Sequence, residues 1–161
     1  MAVRKINVQR WNITSQKPFE NVVASVEANV GKPNMADFAA RIASAKTYSE
    51  VQDVVSRAVG ESGLMEFMRI DAGAVLAKAG GNPKSIRLIV GNPVIMQSMA
   101  RLAPDAASYA PVTILIDQRL DGVHLSYDEM ESFLDCYGDP EVLAIARDLD
   151  AKVKRLLREA S

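Results

Sequence analysis

Cysteine and histidine each occur once in the 161 residues, as Cys136 and His124. A single thiol excludes an internal disulfide and any centre built on several thiolates, and a single imidazole leaves a zinc or iron site short of its usual ligands. No metal or cofactor is therefore expected. Long hydrophobic runs are also missing: stretches such as Val112 to Ile116 fall far below the roughly 20 residues a helix needs to cross a bilayer. The opening Met-Ala-Val-Arg-Lys leads straight into polar and apolar alternation, so no secretory leader and a cytoplasmic location are expected. Neither sign of charge dominates, since 19 basic and 20 acidic residues give a formal net charge of −1. Duplex binding normally needs a basic face that neutralises phosphates, so nucleic acid is not an expected partner.

What is present suits one ordinary globular domain. Hydrophobic residues make up 48% and charged residues 24% of the chain, and a domain of this size removes roughly 70% of its unfolded surface from water. Ile6 and Val8 alternate with Lys5, Asn7 and Gln9, the period-2 pattern of a first strand. Pro18 suits a first helical position, Glu20 suits an opening turn, and Phe19, Val22, Val23, Val26 and Val30 recur at helical spacing. Asn34 caps an expected second helix with the stripe Met35, Phe38 and Ile42. Thr47 and Glu50 have capping-box spacing for a third, which buries Val51, Val54, Val55 and Ala58.

A strand is expected from Leu64 to Ile70, then a short alanine-rich turn or helix from Asp71 to Gly80 and Gly81, then a buried strand from Ile86 to Val90. Gly91-Asn92-Pro93 stops that strand and opens a helix carrying Ile95, Met96, Met99 and Leu102. Val112, Ile114 and Ile116 share a face of the next strand, Asp117 to Gly122 makes a turn, and Val123, Leu125 and Tyr127 alternate on its partner. Asp139 and Pro140 begin a last helix with the stripe Val142, Ala146, Leu149, Val153 and Leu156. The order is β-α-β(4)-α. It predicts an α+β fold, residues 1–161 as one domain, with helices packed on an antiparallel sheet of about five strands.

Three segments carry a resemblance: RLIVGNP at 87–93, APVTILI at 110–116 and GVHLSY at 122–127. Together they resemble the bacterial family called domain of unknown function 302. That family's pattern has a helix entry Ser-x-x-x-Phe, a strand ending in Asp, a Phe-Gly-Asn-Pro turn, a Leu-Pro-led strand and a final strand ending in Ser-Tyr. Ser15 and Phe19, Asp71, Gly91 to Pro93, Pro111, and Ser126 with Tyr127 match it in order. Val90 stands in place of the Phe, Ala110 in place of the Leu, and 32–60 reads as an inserted helical pair. The resemblance implies a fold similar to the TATA-box-binding-protein-like group, a homodimer, and no established activity.

Each candidate for chemistry has a plain structural counterpart. Asn92 either presents a helix N-terminus to an anion or simply caps it. Asp71, held beside Asn92 and Tyr127 at one end of the sheet, either serves as a base or cation ligand or caps the segment after it. His124 is the default proton carrier, but strand alternation sets it opposite Val123, Leu125 and Tyr127, in solvent. Cys136 is expected to be buried as a small apolar side chain. Met65, Met68, Met96 and Met99 either line an adaptable pocket or fill the core. Trp11 and the final helix either anchor a dimer or complete the monomer's core.

The leading expectation is a non-catalytic homodimer binding a small-molecule ligand or partner protein near Asp71, Gly91, Asn92, Pro93 and Tyr127. The alternative is an acid–base or hydrolytic enzyme using Asp71 and His124, which requires those side chains to share one face of the sheet.

Overall fold

In the computed structural model, which describes residues 3–80 and 84–161, the alternating segment after Pro111 forms the centre of the sheet. Strands β4 (Val112–Arg119) and β5 (Gly122–Asp128) pair antiparallel, with Ile114 opposite Tyr127 and Ile116 opposite Leu125. Pairing continues out to Arg119 opposite Gly122, so the turn is only Leu120 and Asp121, tighter than the expected span from Asp117 to Gly122. Gly122 has φ +140°, and a Cβ there would sit 2.6 Å from the Ser15 carbonyl oxygen, so only glycine fits.

Strand β3 (Ser85–Gly91) lies on the other side of β4, and β2 (Met65–Asp71) beyond it. The order β1-β5-β4-β3-β2 places the first strand beside the last, all antiparallel. That first strand, β1, is Arg10–Ser15 and not the segment around Ile6 and Val8. Both stretches alternate, but Trp11, Ile13 and Ser15 meet Tyr127, Leu125 and Val123 in register, and this non-local pairing selects the strand. Gln9 still ties down the preceding segment, accepting from the Glu129 amide and donating to Ser132 Oγ.

Three helices cover one face of the sheet: α1 (Phe19–Ala28), α5 (Pro93–Ala100) and α7 (Pro140–Ala160). Val22, Val26, Ala146, Val153 and Leu157 bury completely against Ile114, Ile116 and Leu125. Removing a valine, leucine or isoleucine side chain from water contributes about 1.5–3 kcal/mol, which fixes the helix faces. Pro18 occupies the N-cap of α1, one position earlier than expected, and Phe19 opens the helix. The stripe of α7 belongs to the monomer's own core, and Trp11 packs half-buried on that core with the Arg158 guanidinium over its ring. Both therefore contribute to the core of a single chain.

The opposite face bears Asn12, Thr14, Met68 and Arg87 exposed, and Ile70, Ile89, Thr113 and Leu115 half-buried. A bulge at Phe67 shifts the β2–β3 register and sends that ring toward a second, smaller core. There α2 (Met35–Ser44) and α3 (Tyr48–Ala58) pack Phe38 and Val55 on Met65. Their caps are those expected, with Asn34 accepting from Ala36 and Asp37, and Thr47 from Glu50.

Short elements complete the chain. They are α4 (Ala72–Leu76), α6 (Met130–Leu134) and 3-10 turns at Ala77–Ala79, Pro104–Ser108 and Asp135–Tyr137. Helix α6 and the last two turns escape the periodicity reading because one or two turns are too short to display it. Gly81, expected to end the alanine-rich segment, lies outside the described residues.

Candidate functional site

Gly91 ends β3 against Pro111: a Cβ on it would lie 3.1 Å from the Pro111 Cβ and 3.5 Å from the Phe67 ring. Asn92 then caps α5. Its Oδ1 accepts from the Val94 and Ile95 amides at 2.9 and 3.4 Å, and its Nδ2 donates to the Gly63 carbonyl at 2.9 Å. Oδ1 and Nδ2 both have partners within the fold, so capping is the role the geometry gives it. What the turn does build is an apolar notch of about 200 Å³, walled by Phe67, Pro93, Met96, Ala110 and Pro111 with Asn92 at its edge. Ala110-Pro111 is a cis peptide.

Asp71 is not part of this notch. It pairs with Ile86 at the start of β3, whereas Gly91, at the end of β3, pairs with Met65. Five residue steps at about 3.4 Å separate those ends by roughly 17 Å. Antiparallel pairing sends the β2 terminus to the end of the sheet opposite Asn92, a consequence not visible from the linear spacing. Asp71 accepts from the Ala74 amide at 2.9 Å and so caps α4.

Asp71 also borders a separate groove of about 470 Å³ between α1 and the β2–α4 junction, where Lys84 pairs with Glu20 and Arg69 with Glu27. Burial works against the charge of Glu27, but Lys32 and Arg69 outweigh it and hold the carboxyl below its ordinary range.

His124 pairs with Asp117 and Thr14, residues of the face opposite the helices, while Asp71 pairs with the helix-facing Ile86. The two candidate acid–base groups therefore point to opposite faces with two strands between them, and the enzyme reading built on them fails. His124 Nε2 lies 2.8 Å from Asp121 Oδ1, and with 13% of its side chain accessible it is more covered than expected. Cys136 corrects another expectation: it is exposed, because the turn at Asp135–Tyr137 directs it outward while Leu134 is buried.

Tyr127 shares the Asn92 end of the sheet but faces the interior. Its hydroxyl donates to Asp150 Oδ1 at 2.5 Å, and the same carboxylate accepts from the Met130 amide at 2.7 Å and the Glu131 amide at 3.0 Å. Burial and the neighbouring carboxylate push the phenol far above its ordinary value. Burial also raises the Asp150 carboxyl, against the lowering effect of its three donors. Asp150 thus caps α6 from within α7, a role the sequence reading missed. The signal was there, since Asp150 lies four residues after Ala146 and three before Val153, on the buried stripe.

Of the methionines, Met65 and Met99 fill the cores, Met96 lines the notch, and Met68 is exposed. Among the described residues no group of three or more His, Cys, Asp or Glu side chains could hold a metal ion, and no helix is long and apolar enough to cross a membrane.

These features define an α+β protein with a one-sided antiparallel sheet, whose motif residues organise a turn and a notch around Pro111. The model of the family described as domain of unknown function DUF302 matches residues 40–160, so the chain belongs to this family. A solved structure described as an uncharacterized conserved protein DUF302 from Bacillus stearothermophilus superposes with a TM-score of 0.66 at 11% identity, covering 94% of this chain and 98% of that one. At that identity the likeness speaks for the fold. No curated protein matches the chain.

Proposed function

We propose that this protein is a non-catalytic binding module, acting as a homodimer, that receives a small apolar ligand or a partner's apolar side chain in the notch at Asn92 and Pro111. One observation carries the reading: Asn92, Pro93, Ala110 and Pro111 converge with Phe67 and Met96 on a concave apolar surface, and the polar side-chain atoms of Asn92 are already hydrogen-bonded. A notch of this kind rewards burial of apolar area and offers no proton donor or acceptor to a reacting group. The separation of Asp71 from His124 supports the non-catalytic part.

The test is an amide NMR titration of the full chain with indole. Shifts are expected at Phe67, Met96 and the α5 N-terminus, and Met96→Trp, which fills the notch, should abolish them. Shifts that survive this substitution, or that gather elsewhere, would remove the notch from consideration.

A further inference from the structure

Across Pro111 from the notch lies a second concavity, of about 410 Å³, on the face of the sheet opposite the large helices. Its floor is Ile89 and Thr113 of the central strands, and one wall is the ring pair Tyr109 and Phe133, stacked with centroids 4.8 Å apart and planes 20° apart. The other wall is Arg87. Among the described residues Arg87 has no carboxylate within ion-pair distance, and its Nη2 makes one long hydrogen bond, 3.3 Å, to Thr113 Oγ1. The acid that shares the groove, Asp128, is held by Arg10 through two contacts of 2.6 and 2.8 Å. The groove therefore combines one unneutralised guanidinium, a hydroxyl beside it, and an aromatic surface at its far side.

We propose that this groove binds a small planar carboxylate, an aromatic or conjugated acid whose carboxylate pairs with Arg87 while its ring lies against Tyr109, Phe133 and Pro111. The chemistry selects this class. A guanidinium fork matches a carboxylate in two parallel hydrogen bonds, a flat acceptor geometry that suits a strand-held arginine. Thr113 keeps the guanidinium oriented along the floor. A stacked pair presents ring faces and edges to a third flat group, which adds burial beyond that of an aliphatic chain. The site is distinct from the notch, with Pro111 the wall between them, and its argument does not depend on the notch reading.

The probes are benzoate, benzyl alcohol and inorganic phosphate, titrated into the full chain while the amide signals of Arg87, Thr113 and Tyr109 are followed. Benzoate should bind at least tenfold more tightly than either partial probe, since each lacks half of the recognised chemistry. Arg87→Gln should weaken benzoate about tenfold or more. Arg87 is exposed, so this variant should keep the wild-type spectrum elsewhere. Met96→Trp should leave benzoate binding unchanged, which separates this site from the notch.

The proposal is overturned if phosphate binds as tightly as benzoate, if benzoate is indifferent to Arg87→Gln, or if none of the three probes moves these signals.

Discussion

Asp150 is the residue whose environment says most about how the fold is held. A carboxylate with 3% of its surface accessible would be costly alone, but three donors converge on it and tie β5, α6 and α7 together. Tyr127→Phe removes one donor and should cost about 1–2 kcal/mol in urea denaturation at neutral pH.

The pH dependence follows from the raised carboxyl. Because the folded protein holds this proton more tightly than the unfolded chain does, its contribution is complete below the ordinary value of 3.8 and is lost as pH rises through the higher folded value. Asp150→Asn cannot titrate. The wild type should therefore lose stability relative to this variant as pH climbs above 3.8, measured by denaturation at successive pH values. The opposite slope would mean that the three hydrogen bonds outweigh burial.

Among the elements, those with full periodicity were legible before any coordinates. Val112, Ile114 and Ile116, the stripe of α7, and the caps at Asn34, Thr47, Asn92 and Asp139 each signal locally what the chain does there. The candidate site was legible only in part, because Gly91, Asn92 and Pro93 announce a turn, whereas Phe67, Met96 and Arg87 enter their sites through a bulge, a helix face and sheet register. Asp71 was misplaced for the same reason: which end of a sheet a residue occupies depends on pairing, not spacing.

The helical pair shows how a long segment returns to its starting point. Gly31 and Gly60 both donate to the Leu64 carbonyl at 2.9 Å, and a Cβ on Gly31 would lie 1.9 Å from the Ala58 carbonyl oxygen. The family match begins at residue 40, so it takes in α3 while β1 and α1 precede it. Although the family match takes in α3, we propose that residues 32–60 form an insertion closed at this glycine contact, whose small core is completed by Met65, Phe67 and Val94 from outside the segment. Gly31→Ala forces the ends apart and should destabilise by about 3 kcal/mol. Hydrogen exchange should accelerate in α2 and α3 well before α7. Equal acceleration throughout would make the pair integral to the main core.

At the scale of the molecule, the main core completes itself inside one chain, so any dimer must use surface the core leaves out. The apolar side chains most exposed within consecutive elements are Met68 on β2 at 55%, and Val75 and Leu76 on α4 at 72% and 50%. They belong to the edge strand and the helix that follows it, and the bulge at Phe67 makes side-chain packing, rather than strand addition, the suitable contact there. A formal net charge of −1 puts little repulsion between two copies. Light scattering should accordingly give twice 17.5 kDa. Because Met68, Val75 and Leu76 lie outside the core, replacing all three with glutamate should leave the circular dichroism spectrum intact and halve the mass. Leu120→Glu, at the tip of the β4–β5 hairpin and fully exposed, should leave both the spectrum and the mass unchanged. A monomeric wild type would remove the homodimer, and a dimer indifferent to the triple substitution would move its interface away from β2 and α4.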